Sequence, residues 1–125
     1  MEYKTPIRNF TDLIAWQIAH GLVLAIYKAT KKFPIEEKYG LTDQMRRCAI
    51  SVPSNIAEGF GRGTIKDKNQ FYLVSKGSLF ELHSQLFIAR DLNYITHTEF
   101  ASLESELVRV SKLLSGLLKS SIAKN

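Results

Sequence analysis

Phe100, Leu103, Leu107, Val110, Leu114 and Leu117 follow one another at intervals of three and four residues. That spacing lays apolar side chains along one stripe of an α-helix, in the manner of a coiled-coil seam. A strand cannot use it, because its successive side chains point to opposite faces. Other stretches of the chain show the same period. With only three prolines and seven glycines in 125 residues, and no alternating β-branched run bounded by hairpin turns, the sequence reads as all-α.

Four helices account for the pattern. The first is expected to start from an N-cap at Thr11 or Asp12 and to end before Phe33-Pro34, with Leu13, Trp16, Ala19, Val23, Ile26 and Tyr27 on its apolar stripe. The second should run from about Thr42 to Phe60, with Leu41, Met45, Cys48, Ala49, Val52, Ile56 and Phe60 on its apolar face. Pro53 removes the amide that would bond the Ala49 carbonyl, which predicts a kink or break near Ser51-Val52-Pro53. Gly59-Phe60-Gly61-Arg62-Gly63 should then stop the helix with a left-handed glycine. Thr64 caps a third helix that extends to about Asp91, with Phe71, Leu79, Leu82, Leu86 and Ala89 inward and Ser75 and Ser78 at close contacts. Thr96 and Glu99 have capping-box spacing at the start of the fourth. Connections of about three to ten residues favour antiparallel neighbours, hence an antiparallel up-down-up-down four-helix bundle. It should occupy residues 11–119, between an N-terminal arm, 1–10, and a fraying C-terminal tail, 120–125.

Charge is unevenly spread along this frame. Residues 1–76 hold 12 Lys/Arg and 7 Asp/Glu, whereas residues 77–125 hold 5 of each, so the whole excess of +5 lies in the first part. Such a surplus attracts phosphate backbones. Lys28, Lys31, Lys32, Arg46, Arg47, Arg62, Lys66 and Lys68 are the candidate contacts to RNA or DNA. The single Cys48 excludes a disulfide framework within the chain and a Cys-based zinc site. MEYKTPIRNF lacks the apolar core of a signal peptide, and no stretch approaches the roughly 20 apolar residues of a membrane span. A cytoplasmic protein without a membrane anchor is the expectation.

Several patterns bear on chemistry. Gln44, Arg47, Ser51, Asn55, Glu58 and Arg62 share a polar face of the second helix, and Ser78, Glu81 and Gln85 match it on the third. If the two faces meet, Arg47 or Arg62 is expected to pair with Glu81, and Asn55 to serve the Ala49 carbonyl freed by Pro53. The seam then reads as structural; its functional alternative is an acid/base or binding site at Asn55, Glu58 and Glu81. His20, His83 and His97 stand apart in sequence, and no Glu-x-x-His occurs, so neither a di-metal bundle nor another metal site or cofactor is expected. The glycine-rich segment at 59–63 follows a helix and lacks the Lys-Ser/Thr of a P-loop, although Arg62, Lys66 and Lys68 nearby suit a nucleic-acid phosphate. Arg90 and His97 match the loose Arg-x(4–6)-His spacing of HEPN-type RNases, helical bundles in which a basic pair acts on a scissile phosphate.

Four segments together resemble the bacterial four-helix bundle family, also called 23S rRNA intervening-sequence proteins. They are Phe10-Thr-Asp-Leu-Ile-Ala-Trp-Gln, Phe33-Pro34 with Tyr39-Gly40-Leu41, Gln44-Met-Arg-Arg-Cys-Ala-Ile-Ser-Val-Pro-Ser-Asn-Ile-Ala-Glu-Gly59, and Lys76-Gly-Ser-Leu-Phe-Glu-Leu82. The resemblance spans about residues 10–118, and the family motif falls on Pro53, Asn55, Glu58, Gly59, Gly77, Ser78 and Glu81. Asn93 stands where a glycine is common before Tyr94, and Ser75 where alanine is common. The resemblance implies an antiparallel four-helix bundle assembling as a homopentamer, with no established enzymatic activity. Some members resemble the accessory protein of diversity-generating retroelements, a basic pentamer thought to engage nucleic acid and a reverse transcriptase. The leading expectation is therefore a non-enzymatic homo-oligomeric binding or scaffold protein with a basic surface for RNA or DNA. The rivals are a HEPN-like RNase using Arg90 and His97, and a structural oligomer that binds only protein. A pentamer would carry about +25, five times the charge of one chain.

Overall fold

A computed structural model describes residues 6–123 of the chain. Four helices carry the fold: α1 Ile14–Thr30, α2 Leu41–Phe60, α3 Ile65–Asp91 and α4 His97–Ala123. Short 3-10 turns at Phe10–Asp12 and Ile35–Glu37 precede α1 and α2. Contacts between α2 and α3 run in opposite directions along the two helices: Lys68 meets the Phe60 carbonyl, Ser75 that of Val52, and Ser78 the Ser51 hydroxyl. The same holds for α3 and α4, where Lys76 bonds Ser115, His83 bonds Glu104 and Phe87 packs on Phe100. Lys32 pairs with Glu99 at one end of the α1–α4 seam, and Ala15 lies beside Leu113 and Leu117 at the other. Each helix thus packs against two neighbours, α1 closing on α4, and among the described residues no Cα atoms of the diagonal pairs come within 8 Å. The antiparallel up-down-up-down bundle is the fold.

Its core is continuous through all four helices: Ala19, Leu22, Ile26, Met45, Val52, Ile56, Leu79, Leu82, Leu86, Val110 and Leu114 are almost fully buried. Each large member contributes about 1.5–3 kcal/mol by leaving water. The fourth apolar stripe is buried from Phe100 to Leu114, with Leu117 partly covered. In α1 the three-four spacing is met differently. Ala15 and Leu22 enter the core, while Tyr27 stays partly exposed and carries the Arg46 guanidinium over its ring at 4.5 Å.

Helix ends follow the side chains available to them. Thr96 and Glu99 form the reciprocal capping box of α4, at 3.1 and 3.0 Å, and the Asp67 amide donates to Thr64 Oγ1 at the start of α3. At the start of the bundle the cap is Asn9, three residues before Asp12. Those two close a capping box around the 3-10 turn, so α1 begins only at Ile14 and without a side-chain cap. The expected cap at Thr11 or Asp12 gave way to this local Asn–Asp exchange.

Two backbone expectations fail for stated reasons. The break expected at Pro53 does not occur: helix α2 continues through it from Leu41 to Phe60, because the buried faces on both sides of the proline hold it against the core. No glycine among the described residues has a positive φ, and α2 ends on Gly61 in a right-handed conformation. The ammonium of Lys68 instead donates to the Phe60 carbonyl at 2.6 Å and to that of Gly59 at 3.4 Å, a cation placed where the helix dipole is negative. The left-handed residue is Asn93, φ 64°, which closes α3: the Tyr94 amide bonds the Ala89 carbonyl and the Asn93 amide that of Arg90. Asparagine tolerates that conformation better than other residues with a Cβ. Helix α4 extends to Ala123, into the segment expected to fray, while residues 1–5 of the arm and 124–125 of the tail lie outside the described residues.

Candidate functional site

The polar faces of α2 and α3 do meet. Ser51 and Ser78 share a hydrogen bond of 2.8 Å, and Gln44, Arg47, Cys48, Ser51, Ser78 and Glu81 line a hollow of about 240 Å³ on the seam. The predicted pairings differ, however. Arg47 bonds Asp43 and Arg62 bonds Glu58, each one turn away on the same helix, so Glu81 receives neither arginine. A partner already held four residues away on the same helix wins because little further side-chain ordering is needed. Asn55 donates to the Ser51 carbonyl at 2.8 Å and to its hydroxyl at 3.0 Å, and does not reach Ala49. Burial, together with the Glu81 carboxylate, pushes the Cys48 thiol up to about 12, so it stays protonated and unreactive at neutral pH.

Gly59 and Gly77, both in the family motif, have opposite surroundings. A Cβ on Gly59 would stand 2.7 Å from the Tyr72 ring and 3.1 Å from the Lys68 carbonyl, so this glycine lets α2 and α3 approach closely. A Cβ on Gly77 would meet nothing within 4 Å. Gly77 belongs to an exposed stripe, Leu73, Gly77, Phe80, Ser84 and Ile88, on the outward side of α3. Leu73 is 57 % and Phe80 67 % exposed. Sequence reasoning placed only the inward stripe of this helix. The signal it passed over is the pair of unbroken apolar runs, Phe71-Tyr72-Leu73-Val74 and Leu86-Phe87-Ile88, which no single helical face can hold.

The eight candidate cations fall at the two ends of α2. Lys28, Lys31, Lys32, Arg46 and Arg47 lie toward the α1–α2 end, and Arg62, Lys66 and Lys68 toward the α2–α3 end. Arg46 and Arg62 are separated by about 24 Å of helix rise. Most are engaged: Lys32 with Glu99, Arg47 with Asp43, Arg62 with Glu58 and over the Phe71 ring, Arg46 with Thr30 and Tyr27, and Lys68 with its two carbonyls. Lys28, Lys31 and Lys66 are exposed and form no ion pair among the described residues.

Arg90 and His97 do not form a pair. The Arg90 guanidinium lies between Phe87 and Phe100, at 4.8 and 4.7 Å, and donates to Asp91, while His97 is exposed at the first position of α4. His83, solitary in sequence, meets Glu104 across the α3–α4 seam at 2.8 Å. Only the register between two helices could have revealed that contact. No group of three or more His, Cys, Asp or Glu side chains with metal-binding geometry occurs among the described residues, and none of their helices is long and apolar enough to cross a membrane.

Residues 11–116 match the model of a family described as 23S rRNA-intervening sequence protein. The fold is similar to the crystal structure of a protein of unknown function from the S23 ribosomal protein family of Bacteroides thetaiotaomicron. Its TM-score is 0.77 at 18% sequence identity, covering 85% of this chain and 99% of that one. No curated protein matches the chain.

Proposed function

We propose, on the premise that the chain belongs to the 23S rRNA-intervening sequence protein family, that it is a non-enzymatic, homo-oligomeric scaffold of the cytoplasm that binds RNA or DNA through its basic ends. The observation that carries this reading is the outward stripe of α3. Leu73, Phe80 and Ile88 are large apolar side chains held in water around a glycine that no contact inside the chain requires. An exposed apolar stripe of this kind marks an interaction surface. A glycine within a helix costs roughly 0.5–1 kcal/mol relative to alanine, so its presence is best explained by a close approach from outside. The family resemblance favours a pentamer.

Assembly gives the charge its purpose. Of the eight candidate cations, Lys28, Lys31 and Lys66 have no ion-pair, carbonyl or ring partner named above, and several copies side by side would bring Lys28 and Lys31 of each into one rim and Lys66 of each into another. Phosphate contacts of this kind act by releasing counterions, so affinity should fall steeply as salt rises. The test is binding of single- and double-stranded RNA and DNA, followed by fluorescence anisotropy across a salt series. The reading expects tight binding at low salt and a shallower salt slope when Lys28, Lys31 and Lys66 are replaced by Gln. Absence of binding to any of these polymers at low salt rejects the nucleic-acid role, and a monomeric parent protein rejects the scaffold.

A further inference from the structure

The hollow on the α2–α3 seam holds hydrogen-bond acceptors that the chain itself does not use. Its volume of about 240 Å³ is the share of roughly eight water molecules in the liquid. Gln44, Arg47, Cys48 and Ser51 line it from α2, Ser78 and Glu81 from α3. The bond between Ser51 and Ser78 closes one end. Because the two helices run in opposite directions from that bond, Gln85, seven residues past Ser78, stands level with Gln44, seven before Ser51, at the other end.

Two acceptors there lack donors. Glu81 is exposed, and among the described residues no cation pairs with it. Its carboxylate lies against the Cys48 thiol, and the Gln85 amide reaches the same sulfur. Gln85 is only 5 % exposed, and its Oε1 is buried with no hydrogen-bond partner among the described residues. Leaving such an oxygen unmet costs free energy, so a ligand that supplies a donor gains more here than at an open surface. The one cation lining the hollow, Arg47, is held by Asp43 at 2.9 Å, which leaves Glu81 as the charge to be matched.

We infer that this hollow binds a small aliphatic amine, its primary ammonium group donating to Glu81, to Gln85 Oε1 and to the Ser78 hydroxyl. An ammonium has three donors and no acceptor, which suits a set of acceptors short of donors. A metal ion suits it less, because no group of three or more His, Cys, Asp or Glu side chains gathers among the described residues. The buried Cys48, with its neutral thiol, and the stem of Gln44 offer the alkyl chain a wall. Oε1 is closed to water in the free chain, so the ammonium meets Glu81 first and Oε1 as the side chains at the mouth turn. In a chain of formal charge +5 the surface at large does not attract cations, so binding of an amine reports these local acceptors. The site is independent of the oligomeric and nucleic-acid reading above.

The test is a saturation-transfer NMR titration of the full chain with n-butylamine, beside n-butanol, which has the same alkyl chain and no charge. The parent should bind n-butylamine saturably and at least about tenfold more tightly than n-butanol. Glu81→Gln should weaken n-butylamine binding at least about tenfold. Glu106→Gln on α4, an equal change of charge away from the seam, should leave it unchanged. Gln85→Met should weaken it several-fold yet keep or raise the melting temperature of the free chain, since the lost oxygen makes no hydrogen bond there. Circular dichroism checks each variant, and because Glu81 is exposed, its comparison with Glu106→Gln decides the site even where Gln85→Met does not fold. The site is overturned by a lack of saturable n-butylamine binding, by equal affinity for n-butanol, or by equal losses from Glu81→Gln and Glu106→Gln. Unchanged affinity in a folded Gln85→Met variant overturns it as well.

Discussion

Helices α3 and α4 have the same length, 27 residues, and pack against each other in opposite directions, yet they treat apolar side chains differently. Among its described side chains, helix α4 keeps the large apolar residues toward the interior and shows Ala101, Ser105, Arg109, Lys112 and Gly116 to water. Helix α3 buries Leu79, Leu82 and Leu86 and also exposes Leu73, Phe80 and Ile88. One helix is completed by its own chain. The other is completed on the inside only, and its outer side leaves Leu73, Phe80 and Ile88 in water.

That contrast can be broken first where the expected effect is largest. Leu86→Ala on the inner side of α3 should cost about 3 kcal/mol of stability in urea unfolding, through lost burial and a cavity. Phe80→Ala on the outer side should leave the stability of the isolated chain within about 0.5 kcal/mol and weaken assembly instead. Equal losses from both would show that the two sides are not distinct. Next comes Gly59→Ala, whose methyl group meets the Tyr72 ring and the Lys68 carbonyl; a loss of about 2 kcal/mol is expected.

Smaller effects sharpen the comparison. Ser75→Ala removes the buried bond of 2.7 Å to the Val52 carbonyl and should cost about 1 kcal/mol. Gly77→Ala carries the opposite sign. With open space around it, alanine should stabilise the monomer by roughly 0.5–1 kcal/mol while hindering assembly, read as a higher melting temperature together with a lower mass. The smallest effect concerns acid. Lys32 and the Thr96 cap hold the Glu99 carboxyl below its ordinary range, so it contributes stability above the unfolded value and loses it as pH falls through the lower folded one. Glu99→Gln should therefore flatten the acid limb of the stability curve slightly, and no more, because the Lys32 pair is exposed.

The legibility of each region follows from how local its cause is. The α4 stripe, the Thr64 cap and the Thr96–Glu99 box were readable because each depends on residues within two turns of one another. Asn93 was noticed as a substitute for glycine, and it occupies the left-handed position. The seam of α2 and α3 was readable as a meeting of faces but not as a set of partners. Arg47 and Arg62 each had a nearer carboxylate than Glu81, and choosing among them requires actual distances. The basic residues can be named from the sequence, yet their division between two ends appears only once α2 is laid out at its full length.

What the sequence determined by itself is the number of helices, their approximate limits and the inward face of α4, since these arise from spacing and capping along one chain. The role of each motif glycine was decided by tertiary structure. Gly59 and Gly77 look alike in a helix, and only the approach of Tyr72 to one and the emptiness around the other separate a contact within the chain from an open surface. The His83–Glu104 contact and the exposed stripe on α3 were decided in the same way. Each depends on the register between helices, and register is set by the packing of the whole core rather than by any one segment.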